Sequence, residues 1–294
     1  MKQRMVVTGR EGQVVSALIE RSNLNSRFEV IAIGRPMLDL SQPAKINAAL
    51  QDAHPDVIIS AAAYTAVDQA EADEETATIV NGAAAGAIAA AAAVLGVPVV
   101  QLSTDYVFDG TKASPYLETD PVAPIGAYGR SKLIGEQAVA RATINHAILR
   151  TAWVYSPFGK NFVRTMLRLA ATHDTLNVVA DQIGNPTSAL DIADAVLTIA
   201  GNLLDNDAEN LRGLFHMTGS GEATWADFAT EIFMQSKARG GPSASVNRIP
   251  SSAYPTPAKR PANSRLDCTK LENVHGVRLP NWQQSTTDVV ARLV

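Results

Sequence analysis

A single cysteine, Cys268, is present in 294 residues, which excludes an internal disulfide and leaves no cysteine cluster to hold zinc. Positive charge is not in excess either, since 25 Lys and Arg stand against 29 Asp and Glu, for a formal charge of -4. Nucleic-acid binding depends on a basic surface that neutralises phosphates, so no nucleic acid is expected as a partner. No block of like charge marks a tail, and no internal repeat is apparent. The opening MKQRMVVTG enters a strand-like apolar run at once, without the regions of a signal peptide. Together with the lone cysteine, this points to a reducing, cytoplasmic setting. The five histidines, His54, His146, His173, His216 and His275, are too dispersed for a metal motif by spacing. They are read as surface or satisfied core residues, and no metal is expected.

One long uncharged run exists, Gly82 to Val100, about the length of a membrane span. Alanine is only weakly apolar, Pro98 interrupts the run, and its flanks lack the Lys/Arg bias of a spanning helix. The run therefore reads as a helix to about Leu95, a Gly/Pro turn and a buried strand, with no membrane partner.

What is present is an ordinary globular composition, 46% hydrophobic and 18% charged, long enough for a substantial core. Short β-branched runs, RMVVT, FEVIAI, DVIISA, VPVVQLS and HAILRT, alternate with helical stretches from about Gln13, through the alanine-rich segment, and from about Gly126. Near-continuous apolar strands alternating with helices predict an α/β fold, a doubly wound parallel sheet covered on both faces. Residues 1–153 are expected to form a dinucleotide-binding domain, to which some later segments return. Residues 154–294 are expected to form mainly a smaller lobe over the carboxyl ends of the strands. That lobe reads as a helix at Asn161–His173, a strand TLNVVA, a helix from about Leu190 and a helix opening at TWADF with Thr224 as N-cap.

The stretch TGREGQVV follows the first strand and opens the first helix, the context in which a glycine-rich turn binds pyrophosphate. Gly9 permits the sharp turn, and Gly12 lets the backbone approach a phosphate met by helix N-terminal N–H groups. Val15 occupies the place of the third glycine, a position concerned with helix–strand packing. At the end of the second strand, where an acid would meet the ribose 2'-hydroxyl of NADH, the chain carries Arg35, with Arg10 in the first turn. Both are positioned by sequence to meet a 2'-phosphate, which favours NADPH over NADH, with a solvated surface role as the alternative. Asp39 and Leu40 come within reach of an adenine if the loop folds back; Asp39 reads equally as an acid at a helix N-terminus.

In AYGRSK, Tyr128 and Lys132 are i and i+4 and share one helix face. An ammonium beside a phenol favours the phenolate, so the pair is expected to lower the tyrosine's pKa and let it exchange a proton with a carbonyl or alcohol oxygen. The pair lies one strand–helix unit after QLSTDYVF, where Ser103 and Thr104 end the fourth strand. The carboxyl ends of parallel strands are where such folds place ligands, and a Thr104 hydroxyl there can both donate and accept.

The TGxxG turn, the hydroxyl ending the fourth strand and the Tyr–Lys pair resemble the extended short-chain dehydrogenase/reductase family. SAAAYTAVDQAE, STDYVFDGT, AYGRSKLIGE, RTAWVYSPFGKNFVRTMLRLA, DQIGNPTSALDIA and RPANSRLD further resemble, in order and over nearly the whole chain, its dTDP-4-dehydrorhamnose reductases. The resemblance implies a Rossmann fold and reduction of a nucleotide-sugar 4-ketone by NADPH, or NADH. It makes Tyr128 the proton donor, Lys132 the residue that binds the nicotinamide ribose, and Thr104 the counterpart of a serine in many relatives. It assigns Gly12, Gln13 and Val14 to the cofactor turn, Asp39 and Leu40 to an adenosine contact, and Ala63, Tyr64, Thr65 and Leu102 to the cofactor's surroundings. Asp105 and Trp153 match positions that hold the sugar nucleotide, although Trp153 also reads as a core aromatic and Asp105 as a turn cap. A non-catalytic dinucleotide-binding subunit, or an epimerase or dehydratase of another nucleotide sugar, are the rival readings. Oligomeric state is not legible, and a homodimer stays open.

Overall fold

The first strand, β1 (Gln3–Thr8), shows how the sheet is buried on both sides: Met5 and Val7 enter one hydrophobic cluster and Val6 the other. The same alternation recurs in β3 (Val57–Ser60), β4 (Val99–Thr104) and β5 (His146–Thr151), whose residues are all buried. In this computed structural model, which describes residues 2–24 and 27–294, these strands join β2 (Phe28–Ile33) and β10 (Gly213–His216). The six make one parallel sheet in the order β10-β5-β4-β3-β1-β2. Order reverses next to β1, the switch point at which such sheets open a crevice for ligands.

One face is covered by α1 (Gln13–Ser22) and α8 (Ala189–Asp205). The other is covered by α2 (Ile46–Ala53), α5 (Ala84–Leu95) and α6 (Ala127–Ala142). The alanine-rich run begins earlier than its composition suggests. After a short α3 (Val67–Ala70), α4 (Glu74–Thr78) is N-capped by Asp73 and runs through a π-helical turn, Ile79–Ala83, into α5. The joined helix, Glu74–Leu95, is long and apolar enough to cross a membrane, yet Ala84, Ala85, Ile88, Ala89, Ala91 and Ala92 are buried within the fold. Small side chains let it lie close to α6, where a Cβ added at Gly135 would collide with the Asn81 carbonyl. Gly96, at φ 68°, then ends the helix in the left-handed conformation that glycine adopts without strain.

The second lobe rises over the carboxyl ends of the strands. It contains α7 (Phe162–Ala170), α9 (Trp225–Lys237) and three two-stranded pairs. The pairs are β6 (Val154–Tyr155) with β9 (Thr187–Ser188), β7 (Thr175–Val179) with β12 (Ser245–Ile249), and β8 (Ile183–Gly184) with β11 (Ala223–Thr224). Thr224 caps α9 in a full capping box with Asp227. The α7 helix stops at Ala170, short of the sequence expectation, and α10 (Thr269–His275) and α11 (Trp282–Ala291) close the chain.

Candidate active site

A cleft of about 640 Å³ opens between the carboxyl ends of β1, β3, β4 and β5 and the second lobe, a size suited to an organic ligand. Its floor is the first glycine turn. Gly9 has φ 105°, and a Cβ there would meet Val15 and Ala62 at 3.2 and 3.3 Å. Thr8 secures the turn by accepting from the N–H groups of Ala61 and Ala62, both at 3.1 Å. Gly12 N-caps α1 with no capping side chain and no acid in the first turn, so the helix end faces the cleft with its N–H groups uncompensated. These features fit a dinucleotide pyrophosphate. Val15, 2% exposed, fills the helix–strand contact where a third glycine would stand.

Of the residues singled out by sequence, Gly9, Gly12, Gln13, Val14, Ala63, Thr65, Leu102, Thr104, Asp105, Tyr128, Lys132 and Trp153 all line this cleft. Four others do not. Tyr64 turns toward Ala70, Ala77 and Ala127, and Leu40 packs on the core beneath α2. Asp39 closes its own turn through Ser41 N–H (2.9 Å) and hydroxyl (2.8 Å), ahead of the 3-10 stretch Pro43–Lys45 and not at a helix N-terminus. Arg35 is exposed at the end of β2. Arg10 comes to the same strand end, for a Cβ on Gly34 would meet its Cγ at 3.0 Å. Gln13 lines the cleft, but its amide oxygen accepts from Ser156 Oγ (2.8 Å) and Asn161 Nδ2 (3.0 Å), tying α1 to the second lobe.

At the end of β4, Thr104 Oγ1 donates to Asp105 Oδ1 at 3.0 Å and accepts from Tyr106 N–H at 3.2 Å. Tyr128 stands on the first turn of α6, whose leading N–H, on Ala127, donates to Glu71 at 2.8 Å. Tyr106 meets Tyr128 edge-on with centroids 5.7 Å apart. A Cβ on Gly129 would strike the Tyr106 carbonyl, so glycine there lets α6 approach β4. The expected lowering of the tyrosine's pKa is corrected by the structure. Burial pushes the Tyr128 phenol up to about 12, against the Thr104 hydroxyl that faces it, and the nearby Asp105 carboxylate adds to the rise. Lys132 does not offset this, because its ammonium donates to the Leu102 carbonyl at 2.7 Å and burial lowers it to about 8, Glu136 opposing. Spacing makes the two residues neighbours; packing decides which charge state is favoured.

Two supports went unread in the sequence. Glu136, one turn beyond Lys132, accepts from Ser103 Oγ (2.5 Å) and from Arg150 Nε (2.9 Å) and Nη2 (2.7 Å) in a buried cluster behind β4. Asn81, in the π-helical turn, bonds both the N–H (2.8 Å) and the carbonyl (3.1 Å) of Tyr64 and reaches Ser131 Oγ (2.9 Å), fastening the loop after β3 to α6. Across the cleft Trp153, at φ 48°, stacks on Trp225 with centroids 3.6 Å apart and planes 7° apart. Nothing in the local sequence pairs these two. Among the described residues no group of three His, Cys, Asp or Glu side chains is arranged to hold a metal ion.

Burial raises the Asp105 carboxyl to about 6, partly opposed by Ser264 and Thr104. A carboxyl raised in the folded state stabilises it fully below the ordinary value of 3.8, and that contribution is lost as pH rises through about 6. Wild type should therefore lose about 2–3 kcal/mol relative to Asp105→Asn between about pH 4 and pH 8, read from denaturant titrations at each pH. A pH-independent difference would contradict this account of Asp105.

The family model described as RmlD substrate binding domain matches residues 3–294. A dTDP-4-dehydrorhamnose reductase of Sinorhizobium fredii is 53% identical over 291 residues, covering 99% of this chain and 98% of that one. The crystal structure of a dTDP-4-dehydrorhamnose reductase from Clostridium acetobutylicum superposes with a TM-score of 0.91 at 37% identity, covering 99% of each chain. That of the Bacillus anthracis dTDP-4-dehydrorhamnose reductase, solved in complex with NADP, does so with a TM-score of 0.91 at 32% identity and the same coverage. By motif, fold and full-length similarity alike, the chain belongs to the RmlD family, the dTDP-4-dehydrorhamnose reductases of the extended short-chain dehydrogenase/reductases.

Proposed function

We propose that this protein reduces the C4 ketone of dTDP-4-dehydro-6-deoxy-L-mannose to dTDP-L-rhamnose, with NADPH as the preferred reductant and Tyr128 as the proton donor. The observation that carries the reading is one cleft lined both by the uncapped end of α1 and by Thr104, Tyr128 and Lys132. Gly9, Gly12 and Val14 would hold the pyrophosphate, with Ala63, Thr65 and Leu102 along the rest of the dinucleotide. When bound, the reduced nicotinamide supplies the hydride.

The chain's own residues handle the charge that then forms on the sugar oxygen. Tyr128, whose phenol is kept protonated by burial, gives its proton to that oxygen. A donor held protonated at neutral pH suits the reductive direction, in which the proton is consumed. Thr104 holds the oxygen beside the phenol, and Lys132, whose ammonium donates to the Leu102 carbonyl, would bind the nicotinamide ribose. Trp153 and Asp105 would position the sugar nucleotide.

Anaerobic mixing with NADPH or NADH and a panel of dTDP-, GDP- and UDP-4-keto sugars tests the reading through loss of reduced-cofactor absorbance. Turnover with the dTDP sugar is expected. Oxidation only with another sugar would overturn the substrate, and none with any sugar would favour a binding subunit. The cofactor preference rests on Arg10 and Arg35 both standing at the end of β2. The Arg10→Ala/Arg35→Ala double variant should weaken NADPH about 10–100-fold, the loss of charge-assisted hydrogen bonds to one phosphate, and leave NADH within about threefold. Equal weakening of both dinucleotides would remove these arginines from 2'-phosphate recognition.

A further inference from the structure

Asp105 is 3% exposed and lines the cleft, yet only one of its carboxyl oxygens is bonded. Oδ1 accepts from Thr104 Oγ1 at 3.0 Å, whereas Oδ2 is buried with no hydrogen-bond partner among the described residues. Buried polar atoms are nearly always satisfied, so this one calls for a reason. The Thr104 hydroxyl also faces the Tyr128 phenol, and so neighbours both a phenol and a carboxyl.

We propose that Asp105 is the proton store that recharges Tyr128 through the Thr104 hydroxyl, an inference that rests on the reduction proposed above. The balance is simple. The Tyr128 O–H bond breaks as its proton passes to the sugar oxygen, leaving a phenolate. Thr104 gives its hydroxyl proton to the phenolate while taking one from the Asp105 carboxyl. The carboxylate so formed regains a proton from solvent, and no electrons move in these steps. A hydroxyl can fill the middle place because it donates and accepts at once.

The surroundings leave Asp105 free to cycle. Lys132, on α6, is directed at the Leu102 carbonyl. Arg260, beside Tyr106, is paired with Asp68 at 2.8 Å, and Arg150 is paired with Glu136 behind β4. Ser264, from the segment before α10, faces the carboxyl as a hydroxyl, and Tyr106 and Tyr128 are neutral phenols. None of the salt bridges among the described residues includes Asp105. Burial brings the carboxyl to about 6, so it holds a proton for part of the time near neutrality.

The test is kcat against pH at saturating NADPH and 4-keto sugar, in wild type and in Asp105→Asn, which keeps an acceptor toward Thr104 but carries no proton. Wild-type kcat should fall as pH rises through a value near 6. The variant should lose that limb and about 10–100-fold in kcat, over and above any rise in KM from its contact with the sugar nucleotide. A proton inventory should change from curved in wild type to linear in the variant. An unchanged pH limb in Asp105→Asn, or a raised KM with kcat intact, would overturn the relay and leave only a binding contact. If wild type reduces no sugar, the reduction fails as a reading, and the relay is judged by infrared spectroscopy of the NADP-loaded protein. A buried carboxyl band that titrates near 6 and is missing from Asp105→Asn supports the store; no such band overturns it.

Discussion

Tyr128→Phe should lower kcat by about two orders of magnitude or more while leaving NADPH affinity within about twofold. Phenylalanine preserves the ring that meets Tyr106 edge-on at 5.7 Å, so the start of α6 and its bond to Glu71 should be undisturbed. Only the hydroxyl goes, and with it the acid that meets the developing alkoxide. On the proposed reading the dinucleotide's pyrophosphate would sit on the turn around Gly9 and Gly12, remote in sequence from that hydroxyl, so binding and turnover should separate cleanly. Steady-state kinetics with a fluorescence titration of NADPH reads both quantities. Turnover equal to wild type would remove Tyr128 from proton transfer, and a parallel loss of NADPH affinity would make its role structural.

The second large effect concerns stability. Glu136→Ala should destabilise the fold by about 3–5 kcal/mol, because it leaves a guanidinium buried without its counter-charge. Arg150 is 3% exposed, Glu136 supplies both of its side-chain hydrogen bonds among the described residues, and Nη1 is already without a partner. Ser103 loses its acceptor in the same change. The effect should be smaller in the Glu136→Leu/Arg150→Met double variant, where no charge is left to desolvate. Denaturant titration of the three proteins measures this. A single variant within about 1 kcal/mol of wild type would show that Arg150 finds another partner or reaches water.

The sheet was legible because burying both faces of a parallel strand demands an apolar run, and β3, β4 and β5 each carry one. The Tyr128–Lys132 spacing and the hydroxyl ending β4 were legible for a similar reason, since both follow from local geometry alone. What escaped depends on contacts between distant segments. Gln13 reads as part of a phosphate turn but also binds Ser156 and Asn161, more than 140 positions away. Trp225 meets Trp153 only when the second lobe folds over the strands. Asn81 holds the Tyr64 loop from a π-helical turn that an alanine-rich sequence does not announce. The direction of the Tyr128 shift failed for the same cause. An i, i+4 ammonium is visible in the sequence, whereas the desolvation that outweighs it belongs to the packed cleft.

The most direct measurement is a crystal structure of the protein with NADP and the reduced nucleotide sugar bound. The account predicts the Tyr128 hydroxyl within about 2.6–3.2 Å of the sugar's C4 oxygen, with Thr104 bonded to the same oxygen and the nicotinamide on the adjacent face. A phenol turned away from that oxygen, with another protic side chain in its place, would contradict it.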